Sequence, residues 1–277
     1  MYARPANSFV PKKRFGQNFL MDKRWLERIV SYAEISPDDI VLEVGPGLGG
    51  LTQLLQTNAK KVIGVEKDPA LAEFLNRKFM ENEKVEIIKG DILKIDIPSY
   101  DKVVATPPYN ISSKLLFLLL KRRCRTIILT LQKEFAERLV AKPGTKDYSR
   151  LTVMIAHKAR AEILGHISRH AFRPRPRVDS AIVKITPAGT RRGSEEETFA
   201  DVVRGLFTQR RRTLRVSLKN YLRDITQSFP KEICELGILD KRVFQLSVDE
   251  FEDLARGLAP ILVAQKEPVS NNFSDII

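Results

Sequence analysis

The sequence predicts an α/β fold, in which a mostly parallel sheet is covered by helices on both faces and followed by a small all-helical C-terminal domain. Three observations predict it. From about Asp39 onward, short apolar runs alternate with amphipathic stretches, the signature of successive βαβ units. Residues of ligand-binding type, Glu43-Val44-Gly45-Pro46-Gly47, Glu66, Gly90-Asp91 and Thr106-Pro107-Pro108-Tyr109, each close or follow one of the apolar runs. That places them together at the carboxyl edge of a parallel sheet, where such folds form their crevice. Beyond Pro187 the apolar residues recur at helical spacing alone.

Taken in order, residues 41–44 read as a strand and 48–56 as a helix. Residues 62–66 form the next strand, and 69–80 a helix with Pro69 in its first turn. Residues 85–89, 102–106 and 126–131 continue the strand series, with a helix over 112–123 between the last two. Residues 161–167 and 181–186 alternate in the β manner on either side of a proline-rich bend, as added edge strands do. The sheet domain is expected over residues 1–187, including a basic N-terminal arm, with a small-residue and charged linker over 188–197. In 198–277, Phe199, Val202, Val203, Leu206 and Phe207, then Leu214, Leu218 and Leu222, then Phe251, Leu254 and Leu258 mark helices. The tail after Ala264 is expected to fray.

Composition narrows the function. The chain has 277 residues, 47 Lys and Arg against 34 Asp and Glu, and a net charge of +13. The surplus gathers at Lys12-Lys13-Arg14, Lys121-Arg122-Arg123 with Arg125, Arg173 to Arg177, and Arg210-Arg211-Arg212 with Arg215. Clusters of one sign suit a polyanion, and nucleic acid is the expected partner. The longest purely apolar stretch, Leu115 to Leu120, is far short of the roughly 20 residues of a membrane span. The start, Met1-Tyr2-Ala3-Arg4-Pro5, develops no apolar signal core. A monomeric cytoplasmic protein is expected. Cys124 and Cys234 have no sulfur or histidine neighbours at ligand spacing, and the three histidines share none, so neither a disulfide framework nor a metal site is expected.

Gly45, Gly47 and Gly50 satisfy G-x-G-x-x-G, a weak signal that permits close approach of backbone to a ligand. Glu43 ahead of the turn and the Pro-Pro-Tyr further on argue against a dinucleotide. Glu66, at a strand end about twenty residues later, is placed to accept ribose hydroxyls. Asp91 either accepts an adenine amine or caps the turn at Ile92-Leu93. Thr106-Pro107-Pro108-Tyr109 must leave the sheet, because proline cannot donate to a ladder, and its carbonyl oxygens become acceptors for an amine. An adenine amine is a poor nucleophile, and acceptors holding its hydrogens can turn its lone pair toward a methyl donor. Tyr109 would then hold the flipped base by stacking; the alternative is a proline-rich turn with a core tyrosine.

With these pieces assembled, the chain resembles the small-subunit ribosomal RNA adenine N6,N6-dimethyltransferases, the dimethyladenosine transferase family, over about residues 8 to 260. The resemblance rests on Arg14-Phe15-Gly16-Gln17-Asn18-Phe19-Leu20, on Glu43 to Gly49, on Phe172-Arg173-Pro174-Arg175-Pro176-Arg177-Val178-Asp179-Ser180-Ala181, and on Arg210 to Leu214. It implies a Rossmann-like, S-adenosylmethionine-dependent methyltransferase sheet. The cofactor would be held by Asn18, Leu20, Gly45, Gly47, Glu66 and Asp91, with Thr106 where cofactor and target meet. Thr106, Pro107, Pro108 and Tyr109 would form the catalytic loop, and Tyr109 and Phe172 would stack on the target base. Lys12, Lys13, Arg14, Arg210, Arg211, Arg212 and Arg215 would grip small-subunit ribosomal RNA within a pre-ribosomal particle. The sequence departs from the family at Thr106-Pro107, where Asn-Leu is usual. Threonine offers a shorter hydroxyl than asparagine's carbonyl, and activity is expected to be kept. The rival readings are a large-subunit RNA methyltransferase of the macrolide-resistance type, an RNA-binding assembly factor without turnover, and, remotely, an NAD-dependent oxidoreductase.

Overall fold

A computed structural model describes residues 10–189, 194–223, 225–226 and 229–264. Within it the chain divides into two compact units, Met1–Val140 with Lys158–Thr190, and Ala141–His157 with Arg191–Ile277.

The first unit is built on strands β2 (Ile40–Val44), β3 (Lys61–Glu66), β4 (Val85–Lys89), β5 (Lys102–Ala105) and β6 (Thr126–Gln132), which run parallel. Most are buried throughout, as strands covered on both faces must be, hence their continuous Val, Ile and Leu runs. Two further strands, β7 (Ala159–Ile167) and β9 (Ser180–Pro187), complete it. β9 inserts antiparallel between β6 and β7, giving the order β4-β3-β2-β5-β6-β9-β7. Strand order reverses at β2, which lies between β3 and β5. The crevice therefore opens beyond the carboxyl ends of these three strands.

Helices α2 (Gly50–Asn58), α3 (Pro69–Lys78) and α4 (Ser112–Leu120) are the expected crossovers; α2 starts and ends two residues later than its pattern, and α3 and α4 end earlier than theirs. α3 begins where the Asp68 side chain accepts the Ala70 amide, with proline at its first turn. Helix α1 (Lys23–Ala33), capped by Asp22 accepting the Arg24 amide, was not expected; Leu26, Ile29 and Ala33 give it a buried face that joins Leu51 and Leu55 of α2 over Val41, Val104 and Ile128. Also unexpected are α5 (Lys133–Leu139) and a two-stranded ladder in which β1 (Phe19–Leu20) pairs with β8 (Phe172–Arg173).

The second unit is helical: α6 (Arg150–Ala156), α7 (Ser194–Phe207), α8 (Leu214–Tyr221), α9 (Lys231–Glu235) and α10 (Val248–Ala264). Its core joins Phe199, Val202, Val203 and Leu206 to Leu214, Leu218, Phe251, Leu254 and Leu258. Two features correct the expected division. Residues 141–157 belong here and not to the sheet, because Tyr148 and Val153 are buried in this core and the Tyr148 hydroxyl donates to the Leu246 carbonyl at 2.7 Å. The expected linker over 188–197 is shorter at its far end, because α7 already starts at Ser194; Glu196 and Glu197 in its first turn favour a helix N-terminus. Residues 1–9 of the N-terminal arm, 190–193 of the linker and the tail beyond Ala264 lie outside the described residues.

Candidate active site

The strand-end residues converge on one cavity of about 260 Å³. Its first wall is the turn after β2. Gly45, Gly47 and Gly49 have φ of 71°, 60° and 74°, a left-handed path that side chains oppose. At Gly47 a Cβ would also lie 2.8 Å from the Phe19 ring, so glycine is required for the ring to rest on the turn. The turn closes through the Gly49 amide on the Pro46 carbonyl, 2.9 Å.

Glu66 ends β3 and is 6% exposed. Its two oxygens are oriented by backbone amides, Oε2 accepting from Gly47 at 3.0 Å and Oε1 from Asp68 at 2.9 Å. Each oxygen retains a lone pair for a ligand hydroxyl. Burial raises the Glu66 pKa, with the two amides acting against it. Glu43, one strand away, is equally buried but does not reach the cavity; it accepts the Thr52 hydroxyl at 2.6 Å behind the turn. Burial pushes its carboxyl up to about 8. Asp91 reaches the cavity and also serves as the cap that the sequence left open. Oδ1 accepts the Leu93 amide at 3.1 Å and Oδ2 the Lys67 ammonium at 2.9 Å, which hold its pKa down.

The opposite wall is the loop after β5. Thr106 is half-buried, and Tyr109 opens a 3-10 turn, Tyr109–Ile111, whose Ile111 amide donates to the Pro108 carbonyl at 3.2 Å. The Tyr109 hydroxyl lies 2.5 Å from Ser180 Oγ, fixing the ring against β9. The loop meets the glycine turn: a Cβ on Gly45 would lie 3.5 Å from Pro108 Cδ. Asn18, Leu20 and Phe172 complete the lining; Phe172 is 3% exposed, packed into the core beside Leu20. All the expected cofactor and target residues thus share one cavity.

Sequence reasoning missed Phe15, Asn110 and Thr130 on the same walls. Thr130 stands one residue past the Ala105–Leu129 pairing of β5 and β6, beside Thr106. It is buried, and its hydroxyl has no hydrogen-bond partner among the described residues. Nothing inside an apolar run such as Thr126–Gln132 distinguishes it; only the register does.

The expected RNA-contacting cations differ in their surroundings. The Lys12 ammonium lies 2.8 Å from Asp68 Oδ1, so its charge is matched within the sheet unit. Arg210 is half-buried, with Nη2 3.1 Å from the Lys146 carbonyl and the guanidinium over the Phe244 ring. Arg14, Arg211, Arg212 and Arg215 are exposed, Arg215 being 3.2 Å from Asp240. The Lys13 side chain lies outside the described residues.

The ribosomal RNA adenine dimethylase family model matches residues 9–256. The chain is 42% identical over 250 residues to a probable ribosomal RNA small subunit methyltransferase A of Methanosarcina mazei, covering 87% of this chain and 90% of the relative. It is 39% identical over 274 residues to that of Methanopyrus kandleri, covering 94% and 97%. Among solved structures it is similar to a dimethyladenosine transferase from Plasmodium falciparum, with TM-score 0.79 and 29% identity over 88% of this chain and 98% of that one. It is also similar to the 23S rRNA methyltransferase ErmE, with TM-score 0.68 and 30% identity over 87% and 99%.

Proposed function

The chain belongs to the ribosomal RNA adenine dimethylase family, and from that premise we propose how its own residues carry out the reaction. It is an S-adenosylmethionine-dependent enzyme that dimethylates adenosine N6 in small-subunit ribosomal RNA. The target lies near the 3′ end of that RNA within a pre-ribosomal particle, and the enzyme works there as a cytoplasmic monomer. Among the described residues no helix is long and apolar enough to cross a membrane.

The cavity fits the cofactor. Gly45 and Gly47 leave backbone where side chains would intrude, and a buried carboxylate with both oxygens pre-oriented suits a vicinal diol. When bound, S-adenosylmethionine supplies an electrophilic methyl group. Glu66 accepts the ribose hydroxyls, Asp91 lies at the adenine, and Asn18, Leu20, Gly45 and Gly47 line the rest. Thr106 stands where the two ligands meet.

On the target side the Thr106 and Pro107 carbonyls accept the two amine hydrogens, and the Thr106 hydroxyl takes the place of the usual asparagine side chain. Tyr109, pinned through Ser180, presents its ring to the extruded adenine, and Phe172 backs the same end. Positioning supplies most of the acceleration, since an oriented near-attack geometry is worth about 7–11 kcal/mol. Exposed Arg14, Arg211, Arg212 and Arg215 contact RNA phosphates.

The observation that carries this reading is the convergence of Glu66, the glycine turn and Thr106–Tyr109 on one cavity. The test is incubation with tritiated S-adenosylmethionine and unmethylated small subunits, followed by nucleoside analysis. Labelled dimethyladenosine is expected. Cofactor binding without transfer would assign the chain to RNA binding alone.

A further inference from the structure

The N-terminal segment running from Lys12 to Leu20 is tied at both ends. At its carboxyl end Phe19 and Leu20 pair with Arg173 and Phe172, and the Met21 amide donates to the Ala171 carbonyl at 2.8 Å. At its amino end the tie is Asp68, which is 2% exposed. Oδ1 accepts Lys12 Nζ at 2.8 Å and Oδ2 accepts Gln17 Nε2 at 3.0 Å, while the Gln17 side chain accepts the Lys12 amide at 2.7 Å. Burial opposes the charge on Asp68, but these hydrogen bonds prevail and hold its pKa down.

Between the two ties the segment forms part of the cavity wall through Phe15, Gly16 and Asn18, and Phe19 rests on Gly47. Asp68 also faces the other way, because its amide is the donor that orients Glu66 Oε1. One residue thus joins the wall segment to the acid of the ribose site, across 56 positions of sequence.

We propose that Asp68 is a positioning residue, a latch that holds the N-terminal segment against the cofactor end of the cleft and so sets how long S-adenosylmethionine stays bound. The proposal rests on the placement of the cofactor at Glu66 given above. Asp68 also caps α3 through the Ala70 amide at 3.1 Å, a purely structural task. Chemistry separates the two roles. A cap needs a side-chain oxygen, which asparagine supplies equally well; the latch needs a negative charge opposite Lys12. Lys12 in turn plays no part in the helix cap.

The experiment measures S-adenosylmethionine dissociation by stopped flow, with steady-state kinetics, on the full chain and on Asp68→Asn, Lys12→Met, Lys12→Arg and the double variant Asp68→Asn/Lys12→Met. Asp68→Asn and Lys12→Met should each speed dissociation about tenfold, as expected on losing one charge-assisted hydrogen bond. KM for the cofactor should rise in proportion, with kcat held, and any fall in Tm from the broken pair should be no larger in the double variant than in the more affected single one. Lys12→Arg should restore slow release, and the double variant should be no faster than either single, because both break one interaction. Wild-type release from both single variants, or additive effects of the two substitutions on release, would overturn the latch. Glu66→Ala separates this from failure of the site itself: if it weakens binding and the latch variants do not, only the latch falls. If Glu66→Ala also binds normally, the cofactor placement falls with it.

Discussion

The two units bury different things. Among the described residues the sheet unit buries Asp39, Glu43, Glu66, Asp68 and Lys102, whereas the polar residues buried in the helical unit are the uncharged Thr152, Thr198 and Ser217. The helical unit keeps Arg211, Arg212 and Arg215 outside. A buried charge must be met by partners of fixed geometry, so it orients what it touches. An exposed charge contributes field and little orientation. On the proposed function, the sheet unit places the small ligands and the helical unit attracts the polyanion.

The largest effect expected from this contrast is at Asp39. Its carboxylate is fully buried, accepts the Ser36 amide at 2.8 Å, and pairs with Arg125 and with Lys102 at 3.0 Å. Asp39→Asn should cost about 3 kcal/mol in urea denaturation, the lower end for a broken buried pair, because Lys102 keeps the Ala33 and Glu34 carbonyls. Burial opposes ionisation of Asp39, yet the Ser36 amide and Lys102 outweigh it and hold its folded pKa below the unfolded value. Its contribution is therefore present above the unfolded carboxyl pKa and is lost as pH falls through the folded one. A wild-type acid limb in the Asp39→Asn variant would contradict this.

Next is Glu66→Ala, which should weaken S-adenosylmethionine binding by about 1.5–3 kcal/mol, the worth of a hydrogen bond to a charged group. Calorimetry reads it directly, and an unchanged dissociation constant would remove Glu66 from the ribose site. Tyr109→Ala should cost about 1–3 kcal/mol of target stacking, seen in kcat/KM for RNA, with cofactor affinity preserved. Tyr109→Phe keeps the ring and should keep most transfer. It strands the buried Ser180 hydroxyl, however, and should lower stability by about 1 kcal/mol.

The smallest and most graded effect belongs to the helical unit. Replacing Arg211, Arg212 and Arg215 with Ala should reduce the log-log salt slope of RNA binding by roughly 0.7–0.9 for each phosphate that is no longer neutralised. Arg210→Ala should instead lower the melting temperature of the unit, because it anchors the Lys146 carbonyl. Equal behaviour of the four arginines would erase the distinction between the surfaces.

Much of the sheet was legible because strands buried on both faces must be largely apolar; residues 62–66 were read as a strand and are the buried part of β3 (Lys61–Glu66). Strands of two residues, as in β1 and β8, and helices of seven, as in α5 and α6, carry too few positions for a period to show. α1 did carry a signal, an Asp22 cap ahead of Leu26, Ile29 and Ala33. In the site, Glu66 and the glycine turn were legible because backbone freedom and acidity are visible residue by residue. Lys12, Arg210 and Thr130 were not. What each does depends on a partner, or the lack of one, decided by pairing across long stretches of chain.

Because residues 141–157 are folded into the helical unit, the backbone passes between the two units three times: out after Val140, back at Lys158, and out again after Thr190. The units are therefore not separable modules in the linear sense. A chain stopped after Pro187 would carry α6 with Tyr148 and Val153 stripped of the Phe199, Leu206 and Phe251 surroundings that bury them, exposing an aggregation-prone apolar face. Joining Val140 directly to Lys158 would be needed to release the sheet as an autonomous folding unit.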